Sequence, residues 1–365
     1  MTVLEASRVG GGASGKAGGL IATWADPACI APLSFRLHSE LAEKYDGARN
    51  WGFRNVHCAD VDAMGEAVGH ATTEENKSHF HSHTVSKLLS SDYPPELDWI
   101  MPEKITSYTE LGRPKNTAQV HPDLFTNKIA SLAEERGAKF VLGSALHIKY
   151  NNDGSAATSV TYKAKDTSEV SDIQASEVVI AAGPWTTRLF PEAPIKDSRN
   201  HSIVVRPKIP VSAYVLFPEL HPKIPQQRIP PEIYSRPDGT IYLCGPSDTD
   251  VPLPETSDLV EFNPDICDKL YNDVSSISQA VREGEIVTKQ SFYRPIVVGR
   301  ARDIGPLVGP TGVRSLWLAS GHDSWGISNG PGTGKVMSEM LLDGETSSAD
   351  VSSLDPRLML QKAGQ

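Results

Sequence analysis

Cysteine is scarce in this chain: Cys29, Cys58, Cys244 and Cys267 lie far apart with no CxxC spacing. That argues against a disulfide framework and suits free thiols in a reducing compartment. No apolar run approaches the length needed to cross a bilayer, so no membrane span is expected. The N-terminus, MTVLEASRVGGG, lacks the basic start and apolar centre of a secretory signal. Basic clusters are missing too, and the net charge is −10, which argues against nucleic acid or an anionic membrane as the main partner. These absences point to a cytoplasmic address, with a peripheral position on an organelle left open.

What is present is a globular composition, 39% apolar and 22% charged, in a chain of 365 residues. That length supports a large core divided between two interleaved domains. Thr2-Val3-Leu4 reads as a strand ending in Glu5, followed by Gly10-Gly11-Gly12-Ala13-Ser14-Gly15. Gly10, Gly12 and Gly15 satisfy GxGxxG in spacing only. A true fingerprint follows its strand directly and opens a helix, whereas here an acid intervenes and Lys16-Ala17-Gly18-Gly19 is no helix start. The better reading makes Thr2 to Glu5 the second strand of a Rossmann unit, with the Glu5 carboxylate accepting hydrogen bonds from an adenosine ribose. The real fingerprint should then precede Glu5 by on the order of 30 residues. The expectation is an N-terminally truncated form, or one that has lost the diphosphate cradle, with neighbouring strands left with open edges.

Further along, Pro32 to Tyr45 has helical spacing, Arg49 to Cys58 reads as a strand, and Asp123 to Arg136 as a helix packed through Leu124, Ile129, Ala130 and Leu132. Lys139 to Leu142 and Ala145 to Tyr150 are expected as two short strands. Ala156 to Ala164 and Val170 to Ala175 should form a hairpin. Histidines 79, 81 and 83 alternate, yet their flanks carry no second ligand set, so His70 to His83 reads as a solvated connection and no metal is expected. His121 and His147 read as packed neutral histidines. Strand-like runs at Ser202 to Val205, Ala213 to Phe217, Ile233 to Arg236 and Thr240 to Cys244 suggest an antiparallel sheet. A helix is expected over Pro264 to Val281, and a strand over Glu285 to Tyr293.

Two stretches carry the strongest signals. Glu177 to Trp185, EVVIAAGPW, is a buried strand ending in small residues, where backbone can approach a ligand at Gly183 and Pro184 opens a short helix. Leu316 to Gly344, LWLASGHDSWGISNGPGTGKVMSEMLLDG, is a strand, a Gly-rich turn and then helical spacing from Pro331 through Val336, Met337, Met340 and Leu341. Strand, turn and helix N-terminus together aim free N–H groups and a positive dipole end at an electron-rich group.

GHDSWGISNGPGTGK resembles the flavin-contacting C-terminal segment of the D-amino-acid oxidase, glycine oxidase and sarcosine oxidase superfamily, and TVLEASRVGGGASGKAGGLIA resembles its second strand and flavin loop. The resemblance runs from Thr2 to Gly344 and is closest to a fungal branch, through ASGKAGG, SRPDGTIYLCG and GHDSWGI. It implies a mixed α/β fold: a Rossmann-like FAD-binding domain lacking its first βα unit (1–50, 118–190 and 310–345), an antiparallel-sheet substrate domain (51–117 and 191–309) and a tail (346–365). It implies non-covalent FAD, since no cysteine lies between Lys289 and Arg302 to form a thioether. The contacts it assigns are Glu5 at the ribose, Ser14, Gly15, Lys16, Ala17 and Gly18 in the loop, Ala145 at the adenine, Gly183 and Trp185 near the dinucleotide, and Gly326, Ile327 and Gly332 at the ring.

Tyr293-Arg294-Pro295 is similar to the family's strand that carries an arginine into the active site, where a guanidinium fork fits a substrate carboxylate. The following IVVGRARDI is longer and more basic than the family pattern, which unsettles the placement of Arg294, Arg300 and Arg302. Asp323 stands beside the site and would favour an amine over a second carboxylate. His322 would orient the flavin edge or hold the turn. The implied activity is hydride transfer from an amine or amino acid to FAD, with oxygen or another acceptor completing the cycle. Two rivals remain: a non-catalytic binding or trafficking factor that has lost FAD, and a nicotinamide-dependent dehydrogenase using Glu5.

Overall fold

The computed structural model describes residues 1–65, 93–221, 230–299 and 305–360. The histidine-rich segment His70 to His83, Arg300 and Arg302 lie outside the described residues. The fold is mixed α/β. Thr2–Glu5 runs parallel to the first part of Lys139–Tyr150, which continues antiparallel to Ala157–Ala164 and, beyond it, Val170–Gln174. The two strands expected over 139–150 are therefore one. Gly143 does not break it, because its role is close approach: a Cβ there would meet the Lys163 carbonyl at 2.7 Å.

A second parallel pair, Val178–Ile180 with Leu316–Ser320, is extended by antiparallel Leu307–Pro310. Among the described residues, Thr2–Glu5 and Val178–Ile180 are each the last strand of their sheet. The largest sheet has seven strands in the order Glu285–Val297, Ile195–Arg206, Ile241–Asp248, Glu232–Ser235, Tyr214–His221, His57–Met64 and Ile105–Gly112. One of its faces is closed by Pro264–Ser275 through Cys267, Leu270 and Val274, all inaccessible to solvent. Its opposite face carries Tyr234, Tyr242 and Phe292 and turns toward the loop after Glu5.

Several elements differ from expectation for local reasons. Arg49 to Cys58 is not one strand: Gly47–Trp51 is a short helix between left-handed Asp46 and Gly52, and it buries Trp51 fully. The helix over 122–134 buries Phe125 and Leu132 while Leu124 is exposed, so its apolar stripe is turned from the expected one. Pro264 to Val281 is broken after Ser275. Ser278 starts a new helix by accepting from the Val281 N–H at 3.3 Å and donating to the Trp99 carbonyl at 2.8 Å.

The largest correction concerns the C-terminal helix, which begins at Gly326 rather than near Pro331 and runs to Leu342. Pro331 lacks the N–H that would pair with the Ile327 carbonyl one turn back. His38, on the helix Ala31–Lys44, supplies the substitute: its Nε2 donates to that carbonyl at 2.9 Å. Ser34, one turn earlier on the same helix, donates to the Asn329 carbonyl and accepts from the Gly332 N–H at 3.0 Å. Two side chains of a neighbouring helix therefore complete the ladder that proline interrupts.

Candidate active site

The site is formed where the loop Gly10–Gly19, the turn Gly321–Gly326 and one face of the seven-stranded sheet converge. The loop is pinned to that sheet by three contacts. Lys16 donates from Nζ to the Ser291 carbonyl at 3.0 Å, and Arg236 donates to the Ala17 carbonyl at 2.8 Å. Gly18 lies so close to the Tyr234 ring that a Cβ would come within 2.4 Å of it. Burial lowers the Lys16 pKa, with Arg8 adding to the effect.

On the outer strand of the sheet, Arg294 sits opposite Ser198. Its Nε donates to Asn200 Oδ1 at 2.7 Å, and its Nη1 reaches both Ser324 Oγ and, at 2.9 Å, the carboxylate of Asp323. The sheet and the turn ahead of the C-terminal helix are thus bolted together by one guanidinium. Asp323 makes its contact from a left-handed backbone, φ 47°. Trp325 follows and meets Trp24 edge to face at 5.7 Å.

His322 turns away from Arg294. Its Nε2 pairs with Thr333 Oγ1 at 2.9 Å, and burial depresses its pKa to about 4, so it stays neutral near neutral pH and fastens the turn to the helix. Gly332 has a packing reason to be glycine, since a Cβ would meet Ser34 Oγ at 2.2 Å. Ile327 offers its carbonyl to His38, while Gly326 opens the helix, whose N-terminus has no side-chain cap. Trp185 donates from Nε1 to the Pro254 carbonyl at 2.7 Å and its ring borders Gly12. The Ser14 carbonyl accepts from Thr126, and Gly15 lies so close to the Gly10 carbonyl that a Cβ would come within 2.1 Å of it. Ala145 follows Leu142, the register partner of Glu5, by three residues on the same strand.

One residue that pattern reading passed over belongs here. Glu232 shares the sheet face of Tyr234 and stands in register with Cys244. Tyr234 donates to its carboxyl at 2.6 Å; desolvation pushes its pKa up, opposed by that hydrogen bond and by Arg294. The signal that could have found it is period-two alternation with Tyr234 within EIYS. No group of three or more metal-ligating side chains is present among the described residues.

Features of the chain suit a bound dinucleotide with an electron-accepting ring. The backbone N–H and hydroxyl of Ser7 both engage Glu5 Oε1, which fixes the carboxylate at the end of its strand while no donor reaches Oε2 among the described residues. Gly183 has φ +53° and nothing within 4 Å of a built Cβ, leaving clear space over the backbone. The 17-residue helix Gly326–Leu342 starts without a side-chain cap, leaving its first N–H groups available.

Comparisons with known proteins bear on the family and the fold. The family described as DAO, FAD dependent oxidoreductase, matches residues 1–340. The Saccharomyces cerevisiae protein named "Putative oxidoreductase TDA3" is 33% identical, over 98% of this chain and 88% of its own length. A Schizosaccharomyces pombe protein named "Putative oxidoreductase C1F5.03c" is 32% identical, over 99% of this chain and 91% of its own length. Among solved structures, glycine oxidase from Geobacillus kaustophilus superposes with a TM-score of 0.70 at 16% identity, covering 97% of this chain and 90% of the other.

Proposed function

The chain belongs to the DAO family of FAD-dependent oxidoreductases, and from that premise we propose that it oxidises a small amine or amino acid, using FAD held without a covalent bond. The observation that carries the reading is the joint at Arg294, where a cation on the roof sheet meets the turn that opens the C-terminal helix. Bound FAD would supply the acceptor for the hydride leaving the carbon next to nitrogen.

The chain's own residues bind and orient. Glu5 would accept from the ribose hydroxyls, the backbone of Ser14 to Gly18 would run beneath the ring system, and Gly183 would let the main chain approach the dinucleotide. The uncapped amides from Gly326 onward place the positive end of a helix dipole toward negative charge. The edge-to-face pair of Trp24 and Trp325 would border the site with apolar surface. Arg294 is the polar anchor at the substrate end. The substrate reacts as the neutral amine, and the imine product hydrolyses after release.

Anaerobic mixing of the flavin-loaded protein with D- and L-amino acids and with primary and secondary amines tests the reading. At least one class is expected to bleach the flavin absorbance, and Arg294→Ala to slow that bleaching. A folded protein that none of them reduces would favour the non-catalytic binding factor instead.

A further inference from the structure

Two of the three guanidinium nitrogens of Arg294 are already engaged. Nε is engaged by Asn200, and Nη1 by Ser324 and by the carboxylate of Asp323 at 2.9 Å. The acid comes from the turn at the head of the C-terminal helix, so the guanidinium is already matched by a carboxylate of the chain itself. A second carboxyl, Glu232, stands on the same sheet face with the Tyr234 hydroxyl as its hydrogen-bond donor. No lysine or arginine among the described residues forms an ion pair with Glu232. Lys16 is engaged with the Ser291 carbonyl. Among the described residues Arg294 therefore pairs with Asp323, while Glu232 feels the Arg294 charge without an ion pair of its own.

We propose that Asp323 and Glu232 make the substrate end selective for a cationic amine without a carboxylate beside the reacting carbon, Asp323 occupying on Arg294 the place that such a carboxylate would take. The proposal rests on the reading of the site given above and narrows it. A ligand carboxylate on Arg294 competes with Asp323 and lies near Glu232, two like-charge contacts that oppose binding. A ligand ammonium gains from both acids and leaves the Arg294 joint intact. The binding form is the ammonium ion; it passes its proton to solvent water before the carbon–hydrogen bond breaks, and the neutral amine that remains is the form that reacts.

The test compares n-alkylamines with fatty acids of the same length, binding each to the purified protein by calorimetry, with flavin content read separately from the visible spectrum. The wild-type protein is expected to bind the amines at least about tenfold more tightly than the matched acids. Asp323→Asn is expected to tighten the acids by about tenfold, because Arg294 is released. Glu232→Gln, which keeps an acceptor for Tyr234, is expected to weaken the amines by a similar factor. Acids binding the wild-type protein as tightly as amines, or an amine-to-acid ratio unmoved by Asp323→Asn, would overturn the proposal. A protein without flavin that still shows the amine preference would retain this inference and remove the oxidoreductase reading, so the two fail separately.

Discussion

Arg294 and Asp323 face each other across 2.9 Å, the cation on the roof sheet and the acid on a turn held at φ 47°. The arginine side chain is 16% exposed and the aspartate 47%, so this pair is the rim of the site rather than its floor. Replacing Arg294 by alanine leaves Asn200 and Asp323 without their donor, and about 1–3 kcal/mol of stability should go with it. Arg294→Lys restores charge but cannot reach Asn200 and the turn together. Lysine is expected to recover part of the denaturation midpoint, while turnover stays below wild type by about a hundredfold.

The His38 contact gives a pH-dependent outcome. Its ring is fully buried and its pKa is depressed to about 4, mainly by desolvation. Between that value and the ordinary histidine range the unfolded chain binds a proton that the folded chain refuses. Stability from this group is therefore whole above the ordinary histidine pKa and is lost as pH falls toward 4, by up to roughly 3 kcal/mol. His38→Gln should flatten that slope in thermal melts recorded across this range. It should also lower stability near neutral pH, by exposing the Ile327 carbonyl that Pro331 cannot serve.

Gly332→Ala would normally favour a helix by up to about 1 kcal/mol. Here the new methyl meets Ser34 Oγ at 2.2 Å and Ile30 at 2.9 Å, so the substitution should destabilise instead, by about 1–3 kcal/mol. Ser34→Ala in the same protein should recover part of the loss. A double-mutant cycle read by denaturant titration checks this, since independent effects would simply add.

At Gly183 the expectation is reversed. An alanine finds open space, so the flavin-free protein should lose only the left-handed backbone penalty, about 1–2 kcal/mol. Flavin retention should fall far more, because the methyl occupies the approach of the main chain to the dinucleotide. Equal losses of stability and of flavin affinity would show Gly183 to be a turn residue alone.

Much of this architecture was legible in the sequence because local signals and tertiary structure agree. Thr2–Glu5, Val178–Ile180 and Leu316–Ser320 are short apolar strands bounded by small or acidic residues, and they form where the pattern places them. The start of the C-terminal helix was misjudged because Pro331 looks like a first-turn proline. Only His38 and Ser34, three hundred residues away, make an interior proline tolerable. Lys139–Tyr150 read as two strands because a central glycine is ambiguous between turn and close approach. Asn200 as a partner of Arg294 escaped notice for the same reason as Glu232: pairing across a sheet is set by register, which a single sequence does not display.

In the proposed holoenzyme, Glu5 and the head of the Gly326–Leu342 helix grip one FAD from opposite ends. Titrating the purified chain with FAD, and counting flavin released on denaturation, tests it most directly. The result expected is close to one FAD per chain, released intact, with affinity that falls by about tenfold or more in Glu5→Ala. A folded, colourless protein whose melting temperature does not respond to added FAD would contradict it.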